Sequence, residues 1–319
     1  MSYWYEPPGG SQRRADNRTY VVRRLVALTV AAAVVIGVVQ VVSAVFGDGA
    51  PQQVLPGSPS TVTVINDGKT PTTLTPTTTT EPPLKPRTVP TKQNPAEVLI
   101  VGDSDAASFG PPLEELVQQT GVADATLDYK TASGLARPDY FDWPTHLHAA
   151  IADAYPDIVV ATFGGNDAQG LRSADLTWVV KHAPGSGLDD TKWKAEYAKR
   201  VGAVMDYLSS GNRTLIWVGV PNDNGATLTA RLKVQDEVAK AQAARRPHTV
   251  VFVDTWAMFS DAKGNWSATA VDPRDATSKP VRAPDGFHLN ATGAQILALH
   301  IASAVQDELI ARGATTLGH

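Results

Sequence analysis

Two β-branched apolar runs constrain this chain's architecture more than any other feature. Val98-Leu99-Ile100-Val101 leads into Gly102-Asp103-Ser104, and Ile158-Val159-Val160-Ala161 leads into Gly164-Gly165-Asn166-Asp167. Short apolar runs bounded by glycine and polar residues read as strands buried on both faces. Expected strands are 97–101, about 125–130, 157–163, 213–219 and 249–254. Between them the period becomes helical, as in the stripe Trp193, Tyr197, Val201, Met205 and Leu208. The last such stripe is Leu297, Ile301, Val305 and Leu309, behind the candidate caps Asn290 and Thr292. This alternation predicts an α/β domain over residues 96–319, a doubly wound parallel sheet with helices on both faces. In such a sheet the ligand crevice lies outside the C-terminal strand ends. The two polar clusters, some 60 residues apart, are therefore positioned to meet.

The residues before this domain read differently. Leu25 to Phe46 is a run of 22 residues without a charge. As a helix it is ~33 Å long, about one hydrocarbon core. Arg13, Arg14, Arg18, Arg23 and Arg24 precede it, and no Lys or Arg follows until Lys69. Residues 1–24 thus carry a net +3 within a chain of net −4. The expectation is a single transmembrane anchor at 25–46, a cytoplasmic basic N-terminus at 1–24 and everything else outside the cell membrane. A cleaved signal peptide is the competing reading, with Val42-Ser43-Ala44 as a weak cleavage site. Residues 47–95 are rich in Pro, Thr, Gly and Ser and lack an apolar period, so they read as an extended linker. The overall charge gives no basic footprint for nucleic acid. The absence of cysteine excludes a disulfide framework and thiolate metal sites.

Two further pieces complete a chemical set: Ser133-Gly134, and Asp285-Gly286-Phe287-His288 just before the last helix. Together the four pieces offer a serine hydroxyl, an Asp/His pair, and neutral N–H donors for an oxyanion. These are the parts needed for acyl transfer through a serine ester. A glycine lets backbone approach a tetrahedral oxyanion, and an amide donates without removing a proton. Asp285, three residues before His288, can reach one ring nitrogen while the other faces the hydroxyl.

The ordered set Gly102-Asp103-Ser104, Gly134, Gly164-x-Asn166 and Asp285-x-x-His288 resembles the SGNH/GDSL hydrolase superfamily. More narrowly, Ser133 to Trp143 and Phe163-Gly164-Gly165-Asn166-Asp167 resemble its DUF459-like bacterial cell-envelope branch, over essentially all of 96–319. The resemblance implies a flavodoxin-like fold. It also implies Ser104 as nucleophile, His288 as base and Asp285 as its orienting acid. The oxyanion hole it implies is formed by Ser104 N–H, Gly134 N–H and the Asn166 amide.

Asp105 departs from the pattern, because an apolar residue commonly follows that serine. A carboxylate there opposes a developing oxyanion, so it is expected to face solvent, a helix N-terminus or a basic substrate group. Tyr140, Phe141 and Trp143, following the glycine donor, are candidate substrate-wall aromatics; the competing reading is a hydrophobic plug. Asp254 at a strand end is an alternative orienting acid. His146 and His148 point to different sides of a helix and do not suggest a metal site. No cofactor is expected, since no P-loop or dinucleotide fingerprint occurs. The expectation is a membrane-anchored extracytoplasmic serine esterase acting on an acylated glycan or glycolipid of a bacterial envelope. An O-acyltransferase with the same site is the alternative in chemistry, and a non-catalytic envelope-binding protein the alternative in class.

Overall fold

The computed structural model describes residue 84, residues 86–315 and residues 317–318. The expected N-terminus, the anchor at 25–46 and most of the linker lie outside the described residues. No helix among those described is long and apolar enough to cross a membrane.

The chain runs β1 (Ala96–Gly102), α1 (Ser104–Gln119), β2 (Ala123–Tyr129), α2 (Trp143–Ala154) and β3 (Ile158–Thr162). It continues with β4 (Leu171–Arg172), β5 (Trp178–Val180), α3 (Thr191–Leu208), β6 (Thr214–Val218) and α4 (Ala226–Ala244). The last part holds β7 (Val250–Val253), the short α5 (Thr255–Met258), β8 (Thr269–Val271), β9 (Ser278–Pro280) and α6 (Ala291–Ala311). Five strands form one parallel sheet in the order β2-β1-β3-β6-β7. This is a flavodoxin-like order, the fold that the resemblance implied, and a parallel sheet as the alternation of patterns predicted. The antiparallel pairs β4–β5 and β8–β9 are additions that no apolar period announced.

Every residue of β3 and β6 is buried, as helices on both sheet faces require. Side chains alternate between two cores. Ile100, Val160, Ile216 and Val218 point toward α1 and α6, where Phe109, Leu113, Ile301 and Val305 meet them. Leu99, Val101, Val159 and Trp217 point the other way, onto the Trp193, Tyr197, Val201 and Met205 stripe of α3 and Leu147 of α2. Burial of such side chains is worth about 1.5–3 kcal/mol each, so the two stripes are the main anchors of the layers.

The chain departs from β1 toward β2 on one side and from β3 toward β6 on the other. The switch point therefore falls between β1 and β3, with Gly102 registered opposite Thr162. The residues that follow these strands, Asp103-Ser104 and Phe163-Gly164, emerge side by side.

Candidate active site

Ser104 is the first residue of α1, so its N–H has no acceptor within the helix. Asp103, fully buried, caps this helix and joins the two strand ends. Its Oδ1 accepts from Asp105 N at 3.0 Å, and its Oδ2 accepts from Gly164 N at 3.1 Å. Burial, and then the neighbouring Asp105, hold its carboxyl well above the usual range, against the pull of those two N–H groups.

His288 arrives from the far end of the sequence on a narrow hairpin. Asn290 N donates to Val281 O (2.9 Å) and Ala283 N to His288 O (2.8 Å). At its tip Gly286 takes φ +85°, a conformation that favours glycine, with the Asn224 side chain where a Cβ would sit. The hairpin places His288 Nε2 3.0 Å from Ser104 Oγ, and His288 Nδ1 2.6 Å from Asp285 Oδ2. Asp285 Oδ1 accepts the N–H groups of Phe287 (3.1 Å) and His288 (3.0 Å). Burial pushes the Asp285 carboxyl up, but hydrogen bonds from the His288 ring and these two N–H groups outweigh it, so the group stays below the usual carboxylate range. An ionised Asp285 can only accept, which leaves the proton on Nδ1 and Nε2 free to accept from Ser104. The His288 and Asp285 side chains are 38 % and 53 % exposed, so the crevice is open.

The other candidate donors lie on the loop after β2 and in the turn after β3. Asp167, buried behind the loop, accepts from Leu135 N and Ala136 N, both at 2.8 Å, and from the Tyr197 hydroxyl at 2.9 Å. Burial pushes the Asp167 carboxyl up to about 6 despite these three donors. A Cβ on Gly134 would lie 2.1 Å from Asp167 Oδ1, so only glycine lets the loop sit this close to the carboxylate. The consequence is that the N–H groups of 135 and 136 are consumed, while that of Gly134 is given no protein acceptor among the described residues. Asn166 lies in the turn between Gly164 O and Asp167 N, and its side-chain amide likewise has no protein partner among them.

Arg282, on the hairpin stem, was not singled out by the sequence. Its guanidinium donates to Asn222 O (3.0 Å), Asn222 Oδ1 (2.7 Å), Phe287 O (2.9 Å), Phe259 O (3.0 Å) and Ser267 O (3.2 Å). Burial pushes the Arg282 guanidinium down to about 10, opposed by Asp223 and Asp105, so it is charged at neutral pH.

Three expectations need correction. Of the surroundings expected for Asp105, solvent is ruled out: it is only 8 % exposed, it stands in the first turn of α1, and neither carboxyl oxygen has a protein hydrogen bond among the described residues. Trp143 is not an exposed wall residue. It is fully buried at the start of α2, its Nε1 donating to Ser133 Oγ at 2.8 Å, with Phe141 and Phe163 rings both 4.9 Å away. The plug reading holds for it, because Asp142 caps α2 at this point and turns the ring inward. Asp254 pairs with Lys240 and caps α5, away from His288. Tyr140 is exposed. Phe141 borders a cleft of about 310 Å³ that runs from Gly134 along α3, with Trp143 and Pro144 beside it. His146 pairs with Asp128, and among the described residues no set of three His, Asp or Glu side chains converges to hold a metal.

The fold and site together define an α/β protein with a Ser-His-Asp relay at the switch point of a parallel sheet. The model of a family of proteins of unknown function, DUF459, matches residues 97–304, and the chain belongs to that family. No curated protein matches it. Among solved structures, a catalytic mutant of an acetylxylan esterase from Geobacillus stearothermophilus is 16% identical, with TM-score 0.46 over 70% of this chain and 96% of the other. A GDSL-like lipase from Bacteroides thetaiotaomicron is 14% identical, with TM-score 0.46 over 69% and 92%. A lipase/acylhydrolase from Enterococcus faecalis is 16% identical, with TM-score 0.44 over 67% and 96%.

Proposed function

We propose that this protein is a serine esterase that removes acyl groups from an envelope glycan or glycolipid. The observation that carries the reading is the hydrogen-bonded relay Ser104 Oγ, His288, Asp285, in a chain whose Gly134 N–H and Asn166 amide have no protein partner among the described residues. Ser104 Oγ attacks the ester carbonyl carbon while His288 Nε2 takes its proton. The carbonyl oxygen becomes an anion held by the N–H groups of Ser104 and Gly134 and by the Asn166 amide. As the bond to the alcohol oxygen breaks, Nε2 returns the proton to the alcohol and an acyl-Ser104 remains. Water, deprotonated by Nε2, then releases the acid and restores the hydroxyl. If a sugar hydroxyl takes the place of water, the same site is an O-acyltransferase. The membrane assignment rests on the uncharged segment 25–46 and its flanking arginines.

The test is intact mass after exposure of the protein to an activated acetyl ester, with and without a saccharide. The wild type should gain one acetyl group at Ser104 and release acetate. A Ser104→Ala variant should keep its fold, lose turnover by at least ~10³-fold and resist a serine-directed phosphonate. Labelling at another serine, or activity retained by the alanine variant, would refute the assignment. Acetyl transfer to the saccharide with little free acetate would select the transferase.

A further inference from the structure

Asp105 is unlike the other buried carboxylates near the site. Asp103 and Asp167 each satisfy both oxygens with protein donors. Among the described residues Asp105 satisfies neither, although it is more than nine-tenths buried: its Oδ2 is sealed from solvent, and its Oδ1 keeps the little exposure the residue has. A buried polar group without a partner calls for an explanation, and an absent ligand is one that places it at a binding surface. The surroundings show which part of a ligand it meets. A Cβ on Gly165 would come within 3.8 Å of Asp105 Oδ2 and 2.7 Å of the Phe287 ring. The carboxyl therefore lies between the Asn166 turn and the hairpin that carries His288. The charges facing it are Arg282 and Asp285 from that hairpin and Asp103 from its own turn. Within the esterase reading, His288 Nε2 protonates the departing alcohol, so the hairpin side is where the alcohol half of the ester lies.

We propose that Asp105 is a specificity residue that hydrogen-bonds a hydroxyl of the alcohol half, and thereby selects esters of polyhydroxy compounds over esters of plain alcohols. Burial pushes the carboxyl up to about 7, against the pull of Arg282 and with the push of Asp285, so both protonation states are accessible near neutrality. A hydroxyl both donates and accepts, and so fits either state. A cationic ligand does not, because Arg282 already supplies the positive charge.

This inference rests on the proposed esterase activity, and the test separates the two. Binding is measured on the Ser104→Ala background, where no turnover intervenes, with methyl 6-O-acetylglucoside and with cyclohexylmethyl acetate, which keeps a six-membered ring and lacks the hydroxyls. The sugar ester should bind about tenfold or more tightly than the carbocycle, because a buried hydrogen bond is lost with the second. Adding Asp105→Leu should bring the two affinities together, and adding Asp105→Asn should keep part of the preference. Thermal melting of each variant shows whether it is folded, and the asparagine variant carries the test if the leucine variant is not. Equal affinities in the parent, or a preference that survives both substitutions, would overturn the proposal. Asp105-dependent sugar binding in a wild type that consumes no ester would support it while refuting the esterase.

Discussion

The loop that carries Gly134 and the hairpin that carries His288 are each held by one charged side chain, the buried Asp167 at the loop and the half-buried Arg282 at the hairpin. At the Gly134 loop the Asp167 carboxylate gathers donors: the N–H groups of Leu135 and Ala136 and the Tyr197 hydroxyl. On the hairpin side the Arg282 guanidinium gathers acceptors: the carbonyls of Asn222, Phe259, Ser267 and Phe287, and the Asn222 side chain. The difference follows from what each segment must leave free. A loop proposed to offer its own N–H groups to a substrate is best fixed through neighbouring N–H groups, which leaves Gly134 N–H without a protein acceptor among the described residues. A loop that offers side chains can be fixed through its carbonyls without restricting those side chains.

The largest effect is expected from removing the cation. Arg282→Met strands four carbonyls and an amide oxygen, and should lower unfolding free energy by about 4 kcal/mol while slowing acylation. Denaturant titration and phosphonate labelling read the two losses. Full stability in this variant would show that the hairpin needs no charge. Asn166→Ala probes the Asp167 side without touching its scaffold. It should lose about 3 kcal/mol of transition-state stabilisation, chiefly in kcat, with little change in thermal midpoint. Unchanged kcat with a lowered midpoint would make Asn166 a turn residue only. Asp167→Asn should be milder, at about 2 kcal/mol of stability, because one amide N–H must then face a backbone donor.

The smallest effect is in pH dependence. The Asp167 carboxyl, raised in the folded protein to about 6, holds its proton more tightly there than in the unfolded chain. Its contribution is fully present below the unfolded value near 3.8 and is lost as pH rises toward 6. Asp167→Asn should therefore flatten the fall in melting temperature over that window, whereas Arg282→Lys should leave its slope alone.

Much of this was legible in the sequence because it is local. Four of the five sheet strands were marked by apolar runs, all but β2, and the observed ranges of all five differ from expectation by one or two residues at their ends. The spacing of Asp285 and His288 implied that one could orient the other, and the relay distances agree with that geometry. What was hidden is long-range. Arg282 reads as an ordinary surface cation, since its acceptors lie up to 60 residues away. Tyr197 belongs to an apolar stripe, and nothing nearby signals that its hydroxyl ends on Asp167. Asp105 looks like a helix-end acid, because Gly165, which comes beside its carboxyl, arrives from another part of the chain. Trp143 failed for a related reason: its ring turns inward only because a helix begins beneath it. The pairs β4–β5 and β8–β9 are too short to set up a period.

Asn290 couples the hairpin to α6. Its Oδ1 caps α6 through Gly293 N, while its Nδ2 reaches Pro280 O and Arg282 O, and α6 lies against α1, whose first residue is Ser104. A polypeptide growing from its N-terminus thus has every group of the proposed relay once His288 is made, yet α6, which holds the hairpin against α1, is synthesised only after it. A nascent chain is chemically complete before it is competent, and a premature stop just beyond His288 would yield a product with all its reacting groups and no reaction.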